Sequence, residues 1–374
     1  MEPNEIPVTV LMTVYNGEGY LRSSIESVLN QSFRNFEFLI INDCSTDRSL
    51  EIIQSYHDRR LVVYSNEKNF GQTRSLNRGL KLARGKYIAR MDADDLVFPG
   101  WLTELSSFLE QNPETAVVSA KAVVLSSGAK IVRILNTPMR WEEIVLKSLT
   151  FSPINHVGSL MRKEVVLGEM GGYDESYHVP ADFHLWSRLI RQGHRLAMVP
   201  QVLVAIRFHG ENQSKAGNSQ EMIRIIHDNV RYLTNYPIQE QEAVRLYKLV
   251  YEVSSLDFQE FRRSVTLLKS VYFQIKPSWK AEAFIETCLA QQQKTATMKK
   301  IFFCVEKGRF EEVRWLSRDY IRQRGWGNVF SLIWLISFGG IITLRLLPAI
   351  HAQLLQLKMQ FILKGETPYK RTGI

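Results

Sequence analysis

The sequence predicts a doubly wound α/β fold followed by an α-helical region, and three observations predict it. Short β-branched runs alternate with apolar residues at helical spacing over the first hundred or so positions, which marks a parallel sheet covered by helices. Acidic and turn residues gather just after these strand runs, where open α/β sheets bind their ligands. Beyond about residue 220 Gly and Pro become scarce and Leu, Gln, Glu, Lys and Arg dominate, the composition of packed helices.

Taken in order, strands are expected at Val8–Thr13, Phe36–Asn42, Leu61–Ser65 and Tyr87–Met91, with helices at Leu21–Leu29, Arg48–Tyr56 and Gln72–Ala83 between them. This β-α-β-α-β-α-β run makes residues 1–99 the nucleotide-binding half of a unit that extends to 219. The half from 100 to 219 is less regular. It carries a helix at Trp101–Gln111, a strand at Ala116–Leu125, a helix at Trp141–Leu149, a turn at Gly171-Gly172-Tyr173-Asp174, a helix at Asp182–Gly193 and a strand at Gln201–Phe208. A helical domain is expected over 220–324, and an apolar segment with a basic tail over 325–374. Within that segment Val329 to Leu344 is uncharged, close to the lower limit of about 17 residues for crossing a bilayer. Lys and Arg flank it on both sides, which favours a stretch that lies on or dips into an anionic membrane surface. The alternative is a buried hairpin within the helical region.

The bulk properties narrow the class. A chain of 374 residues, 45% of them hydrophobic, buries a large core plus a smaller second unit. A net charge of +9 and a pI of about 9.3 imply an anionic partner. No basic helix interleaved with stacking aromatics accompanies the acidic strand ends, so nucleic acid is not expected as that partner. Cys44, Cys288 and Cys304 are too few and too scattered for a disulfide framework or a CxxC zinc site. The start, MEPNEIPVTV, lacks a basic stretch followed by an apolar run, so the catalytic part is expected on the cytoplasmic side.

The strongest chemical signal is Met91-Asp92-Ala93-Asp94-Asp95 at the end of a strand. If the chain stays extended, alternation puts Asp92 and Asp94 on one side, and two hard oxygen ligands suit Mg²⁺ or Mn²⁺ with phosphate completing the octahedron. The alternative is a solvated loop with Asp95 as a helix cap. Two further strand ends, Thr13-Val14-Tyr15-Asn16-Gly17 and Asn42-Asp43-Cys44-Ser45-Thr46-Asp47, face the same crevice. An aspartate there accepts a base N–H, or else caps the next helix, the better role for Asp47.

With these residues in order, the string VTVLMTVYNGEGYLRSSIESVLNQSFRNFEFLIINDCSTD, then NEKNFGQTRSLNRGLKLARGKYIARMDADD, and then GGYDESYHVPADFHLWSRLIRQGHRLAMVP resembles the family 2 glycosyltransferases over roughly residues 6 to 215. The resemblance implies a GT-A fold, that of nucleotide-diphospho-sugar transferases, with a mixed sheet. It implies that Asp43 contacts the nucleobase with Thr13, Tyr15 and Asn16 beside it, that Asp92 binds ribose or metal, and that Asp94 holds the metal. It places a general base at Asp182, desolvated by neighbours such as Phe183 and Trp186, a diphosphate or metal ligand at His209, and His156 and Trp186 along the acceptor pocket. The family's usual Glu before the base is Ala181 here, so the second carboxylate that the resemblance would place beside the acceptor is missing. Lys86 is usual in the approach to the acidic motif but carries no assigned role.

The activity so implied is metal-dependent, inverting transfer from a nucleoside-diphosphate-sugar, with a UDP-sugar expected, to a hydroxyl of a glycan or polyprenyl-linked acceptor. The setting is surface-polysaccharide synthesis at the cytoplasmic face of the inner membrane, with peripheral or monotopic attachment. A nucleotidyltransferase is the rival enzyme, but the place of its Gly-rich basic phosphate loop reads VYNGEGYL. A catalytically weak scaffold is the other rival, and the acidic crevice argues against it.

Overall fold

The computed structural model describes residues 7–126, 129–135, 137–208, 219–306 and 312. In chain order its first half holds β1 (Val8–Val14), α1 (Leu21–Leu29), β2 (Phe36–Asn42), α2 (Ser49–Gln54), β3 (Leu61–Ser65), α3 (Gln72–Leu82) and β4 (Tyr87–Asp92). There follow β5 (Leu96–Val97), α4 (Trp101–Gln111), β6 (Thr115–Ser126), β7 (Ile131–Ile134), α5 (Trp141–Ser148), β8 (Leu160–Arg162), α6 (Ala181–Arg191) and β9 (Arg195–Phe208). The helical part is α7 (Ser219–Leu233), α8 (Glu240–Tyr251), α9 (Phe258–Tyr272) and α10 (Ile285–Glu306).

The inner strands are buried on both faces, so their apolar runs are unbroken: every residue of β1 and β2 is buried. Alternation sorts the side chains into two layers. Leu11, Leu39, Ile41 and Ile88 join one core, while Val10, Met12, Phe38 and Ile40 join the other with Trp101 and Leu105 of α4. Helix α3 lies close on β1 because Gly79 faces Leu11; a Cβ there would fall 2.2 Å from a Leu11 methyl.

The nine-stranded sheet runs β3-β2-β1-β4-β8-β6-β9-β5, with β7 paired to β6. β1 to β4 are mutually parallel, β8 is antiparallel between β4 and β6, and β5 is antiparallel to β9. Strand order reverses between β1 and β4, so the carboxyl ends of β1, β2 and β4 open a crevice at a topological switch point.

Some boundaries differ from expectation. β9 starts at Arg195 rather than Gln201, because its pairing with β6 skips register around Pro200 and so accommodates a residue that reads as a strand break. β5, β7 and β8 have two to four residues each, too few for an alternation pattern. The helices after Ser219 join the first core, which runs from Leu11 through Leu189 to Leu268 and Leu289. Buried Asn229 fastens this junction by donating to Ser148 O at 2.7 Å and Ser187 Oγ at 2.8 Å, and Tyr272 OH donates to Leu146 O at 3.0 Å.

His209 and the apolar segment Trp326 to Ile350, with its basic flanks, lie outside the described residues. Among the described residues no helix is long and apolar enough to cross a membrane.

Candidate functional site

The crevice begins where β1 and β2 end. Asn16 turns the chain with φ 51° and Cys44 with φ 61°, and the two loops are laced together. Asn16 N donates to Ser45 Oγ at 3.1 Å, Thr46 N to Asn16 Oδ1 at 2.8 Å, Gly17 N to Ser49 Oγ at 2.8 Å and Glu18 N to Asp47 Oδ2 at 2.9 Å. Thr13, Tyr15 and Asn16 line the resulting pocket, with half-exposed Tyr15 at its rim. Asp43 lines it too, and its carboxylate anchors the next loop. Oδ1 accepts from Asn66 Nδ2 at 2.6 Å and Phe70 N at 2.9 Å, and Oδ2 from Gly71 N at 2.8 Å.

At the end of β4 the chain does not stay extended: it leaves the strand at Asp92 and turns over Ala93 and Asp94. The turn, rather than strand alternation, brings Asp92, Asp94 and Asp95 to the pocket wall. Beneath them lies Arg90, a cation with no exposed surface, which donates to Met91 O and, at 2.5 Å, to Asp92 Oδ1. Gln72 Nε2 donates to the same Oδ1 at 3.2 Å. Asp95 is not a helix cap. It is buried and accepts the Arg207 backbone N–H at 2.7 Å, while Arg207 Nε donates to Asp94 O at 2.9 Å, so the motif is clamped to β9. Burial, then the charges of Asp94 and Asp92, push the Asp95 carboxyl well above its ordinary range.

A divalent cation fits this donor set in one manner. Among the described residues no group of three or more His, Cys, Asp or Glu side chains could enclose a metal. Two carboxylates on the wall of an open pocket match Mg²⁺ or Mn²⁺, which commonly take one or two protein carboxylates and complete their shell with substrate phosphates and water.

Asp182 lies in the first turn of α6, whose N-cap is Pro180. Burial raises its pKa to about 6, against hydrogen bonds from the Phe183 amide and the Ser152 hydroxyl, the latter at 3.3 Å, with a further upward push from Asp92. His156 also lines the pocket; its Nε2 meets Tyr173 OH at 2.7 Å, and burial plus the nearby Arg90 charge hold the ring well below its usual pKa, hence neutral. Trp186, expected along the acceptor pocket, is a correction: it is wholly buried and packs edge-on to His156 at 5.9 Å, because α6 turns that position into the core. Lys86 is elsewhere, paired with Glu110 at 2.9 Å.

Sequence reasoning missed Arg90, Gln72, Ser152, Tyr173 and Arg207. An arginine inside an otherwise apolar strand run was the available signal for Arg90. The others hold the site through partners 17 to 113 residues away in the chain and carried no local mark. All the sites described so far open into one cavity of about 1930 Å³ lined by Thr13, Asp43, Asp92, Asp94, His156 and Asp182. That is roughly twice the ~1,000 Å³ upper end for single-ligand pockets, room for two substrates side by side.

A family model described as glycosyl transferase family 2 matches residues 9–166. An uncharacterized glycosyltransferase of Haemophilus influenzae is 31% identical over 281 residues, 72% of this chain and 85% of that protein. The amylovoran biosynthesis glycosyltransferase AmsE of Erwinia amylovora is 29% identical over 203 residues, 53% of this chain and 75% of that one. Among solved structures, a crystal structure of S. aureus TarS 1–349 in complex with UDP-GlcNAc aligns with a TM-score of 0.53 at 15% identity, covering 86% of this chain and 93% of that one. At such an identity the likeness is one of fold.

Proposed function

This chain belongs to glycosyl transferase family 2 and has the GT-A fold, and from that premise we propose that it transfers a sugar, with inversion, from a nucleoside-diphosphate-sugar to an acceptor hydroxyl. The observation that carries this reading is one cavity joining the paired aspartates of the β4 end to a desolvated aspartate with a pKa of about 6. A carboxylate poised near neutrality is suited to general-base work.

The chain's own residues divide the task. Thr13, Tyr15 and Asn16 form a pre-set nucleotide wall. Asp43 shapes it through the 66–71 loop, and Oδ2, which takes one bond, keeps a lone pair for a base N–H. Arg90 and Gln72 fix Asp92. When bound by Asp92 and Asp94, Mg²⁺ or Mn²⁺ would offset the charge that develops on the leaving diphosphate. Asp182 removes the proton as the acceptor oxygen attacks the anomeric carbon, the bond to the diphosphate oxygen breaks, and one displacement inverts the centre. Neutral His156 borders the acceptor side.

A UDP-sugar as donor is supported by the fold shared with a protein crystallised with UDP-GlcNAc. A glycan or polyprenyl-linked acceptor in surface-polysaccharide synthesis is supported by the likeness to an amylovoran biosynthesis enzyme. Peripheral or monotopic attachment to the cytoplasmic face of the inner membrane rests on the apolar, base-flanked stretch Trp326 to Ile350. Persistent membrane association after deletion of 326–347 would remove that part.

The test of the donor site is thermal-shift binding of UDP, GDP, dTDP and CDP with and without Mn²⁺, on the native chain and on Asp94→Ala. A metal-dependent rise in the midpoint for one nucleotide, lost in the variant, supports the proposal and names the donor class. No shift with any nucleotide sinks it.

A further inference from the structure

The cavity changes sign along its length. The end near β1, β2 and β4 is walled by Asp43, Asp92, Asp94 and Asp95, whereas the far end, between β7, α5 and α10, is walled by Arg133, Arg140, Lys147 and Lys299. Glu143 is the acidic residue lining this far end among the described residues. Its Oε2 is occupied by the backbone N–H groups of Met139 and Arg140 at 3.0 and 3.3 Å, a helix-start role.

Among the described residues these cations have no carboxylate counter-ion. Lys147 Nζ donates to Pro153 O at 3.2 Å and rests 5.1 Å from the Phe151 ring centroid, and Lys299 Nζ donates to Val250 O at 3.1 Å. Burial lowers the pKa of Lys147 to about 8, and burial together with the Arg133 charge lowers that of Lys299, so Arg133 and Lys299 stand near each other as like charges. A second observation points the same way. Thr137 lines this arm at 8% exposure, and its Oγ1 is buried with no hydrogen-bond partner among the described residues. A cluster of cations without a carboxylate partner, with Lys147 desolvated among them, and an unused buried hydroxyl are satisfied together by an oxyanion.

Resting on the transferase reading, we propose that this arm is a subsite for an anionic group of the acceptor, a phosphate or a carboxylate, and that it holds the acceptor while Asp182 faces the hydroxyl to be glycosylated. The cavity has the volume for this beyond a bound donor. A neutral glycan would leave the four cations as they are. A diphosphate-linked or phosphodiester acceptor and a uronic-acid glycan share the required chemistry.

The experiment is calorimetric titration of the full chain, loaded with UDP and Mn²⁺, with methyl glucoside, methyl glucoside 6-phosphate and methyl glucuronide, and with inorganic phosphate as competitor. At least one anionic probe is expected to bind tenfold or more tightly than methyl glucoside, with displacement by inorganic phosphate. The stronger of the two tells a phosphate-bearing acceptor from a uronate. Lys147→Met and Lys299→Met should each bring the ratio within about twofold of unity while the Kd for UDP is unchanged, and Arg133→Gln, at an exposed strand position, gives the same reading should a lysine variant fold poorly. Equal binding of neutral and anionic probes, or selectivity that survives all three substitutions, overturns the proposal. Failure of UDP itself to bind would instead overturn the transferase reading.

Discussion

At the scale of single residues, Asp182 ties function to stability. Its pKa is raised from 3.8 to about 6 mainly by burial, so the ionised form is penalised in the folded state. The penalty is absent below about pH 4, where the carboxyl is protonated folded or unfolded, and complete above about pH 6. Asp182→Asn should therefore unfold at a higher temperature than the native chain at pH 8, by roughly 1–3 kcal/mol of stability, and not at pH 3.5; scanning calorimetry at both values checks it. The same variant should lose about 10²- to 10⁴-fold in transfer rate with UDP binding retained. In the native chain kcat/KM for transfer should rise about tenfold per pH unit up to about 6 and then level, since the base must be ionised; a rate flat from pH 5 to 8 counts against Asp182. Asp182 was singled out in the sequence through the family resemblance, which rests on a contiguous string of residues. Arg90 was not, because its partners Met91 O and Asp92 become meaningful only when the strand end curls.

At the scale of elements, long strands and helices were legible since burial on both faces writes an unbroken apolar run into a strand such as β1, and burial on one face writes a helical period into α1. The acceptor side was less so. It rests on the Gly172 turn, where φ is +86° and an added Cβ would lie 2.6 Å from Asn77 Oδ1. That same Oδ1 accepts the Tyr173 N–H at 2.9 Å, and Tyr173 OH meets His156. Gly172→Ala is expected to cost about 2 kcal/mol in urea denaturation and to raise the acceptor KM without changing the UDP Kd. An equal loss in both binding constants would show that the turn matters to the whole fold rather than to the acceptor wall.

At the scale of the whole molecule, the composition shift near 220 marks where helices take over, but not a gap in packing. One core cluster reaches from β1 to α10, and Asn229 bridges α5 and α6 to α7. The sequence shows the change of residue types; which surfaces meet is settled by tertiary contact, which composition does not encode. Thermal unfolding should accordingly be a single transition over both regions, and residues 1–218 expressed alone should aggregate or bind a hydrophobic dye, having lost the cover of Ile226, Val230 and Leu268. Two separated calorimetric peaks would contradict this. Finally, the lacing between Asn16, Gly17 and Glu18 on one loop and Ser45, Thr46, Asp47 and Ser49 on the other gives the proposed nucleotide wall its shape before any ligand arrives. A wall so stiffened does not distinguish the spent nucleotide from the charged one, so the enzyme should be throttled by its own by-product. UDP is expected to compete with the donor at an inhibition constant near the donor KM, making turnover in the cell depend on how fast that nucleotide is cleared.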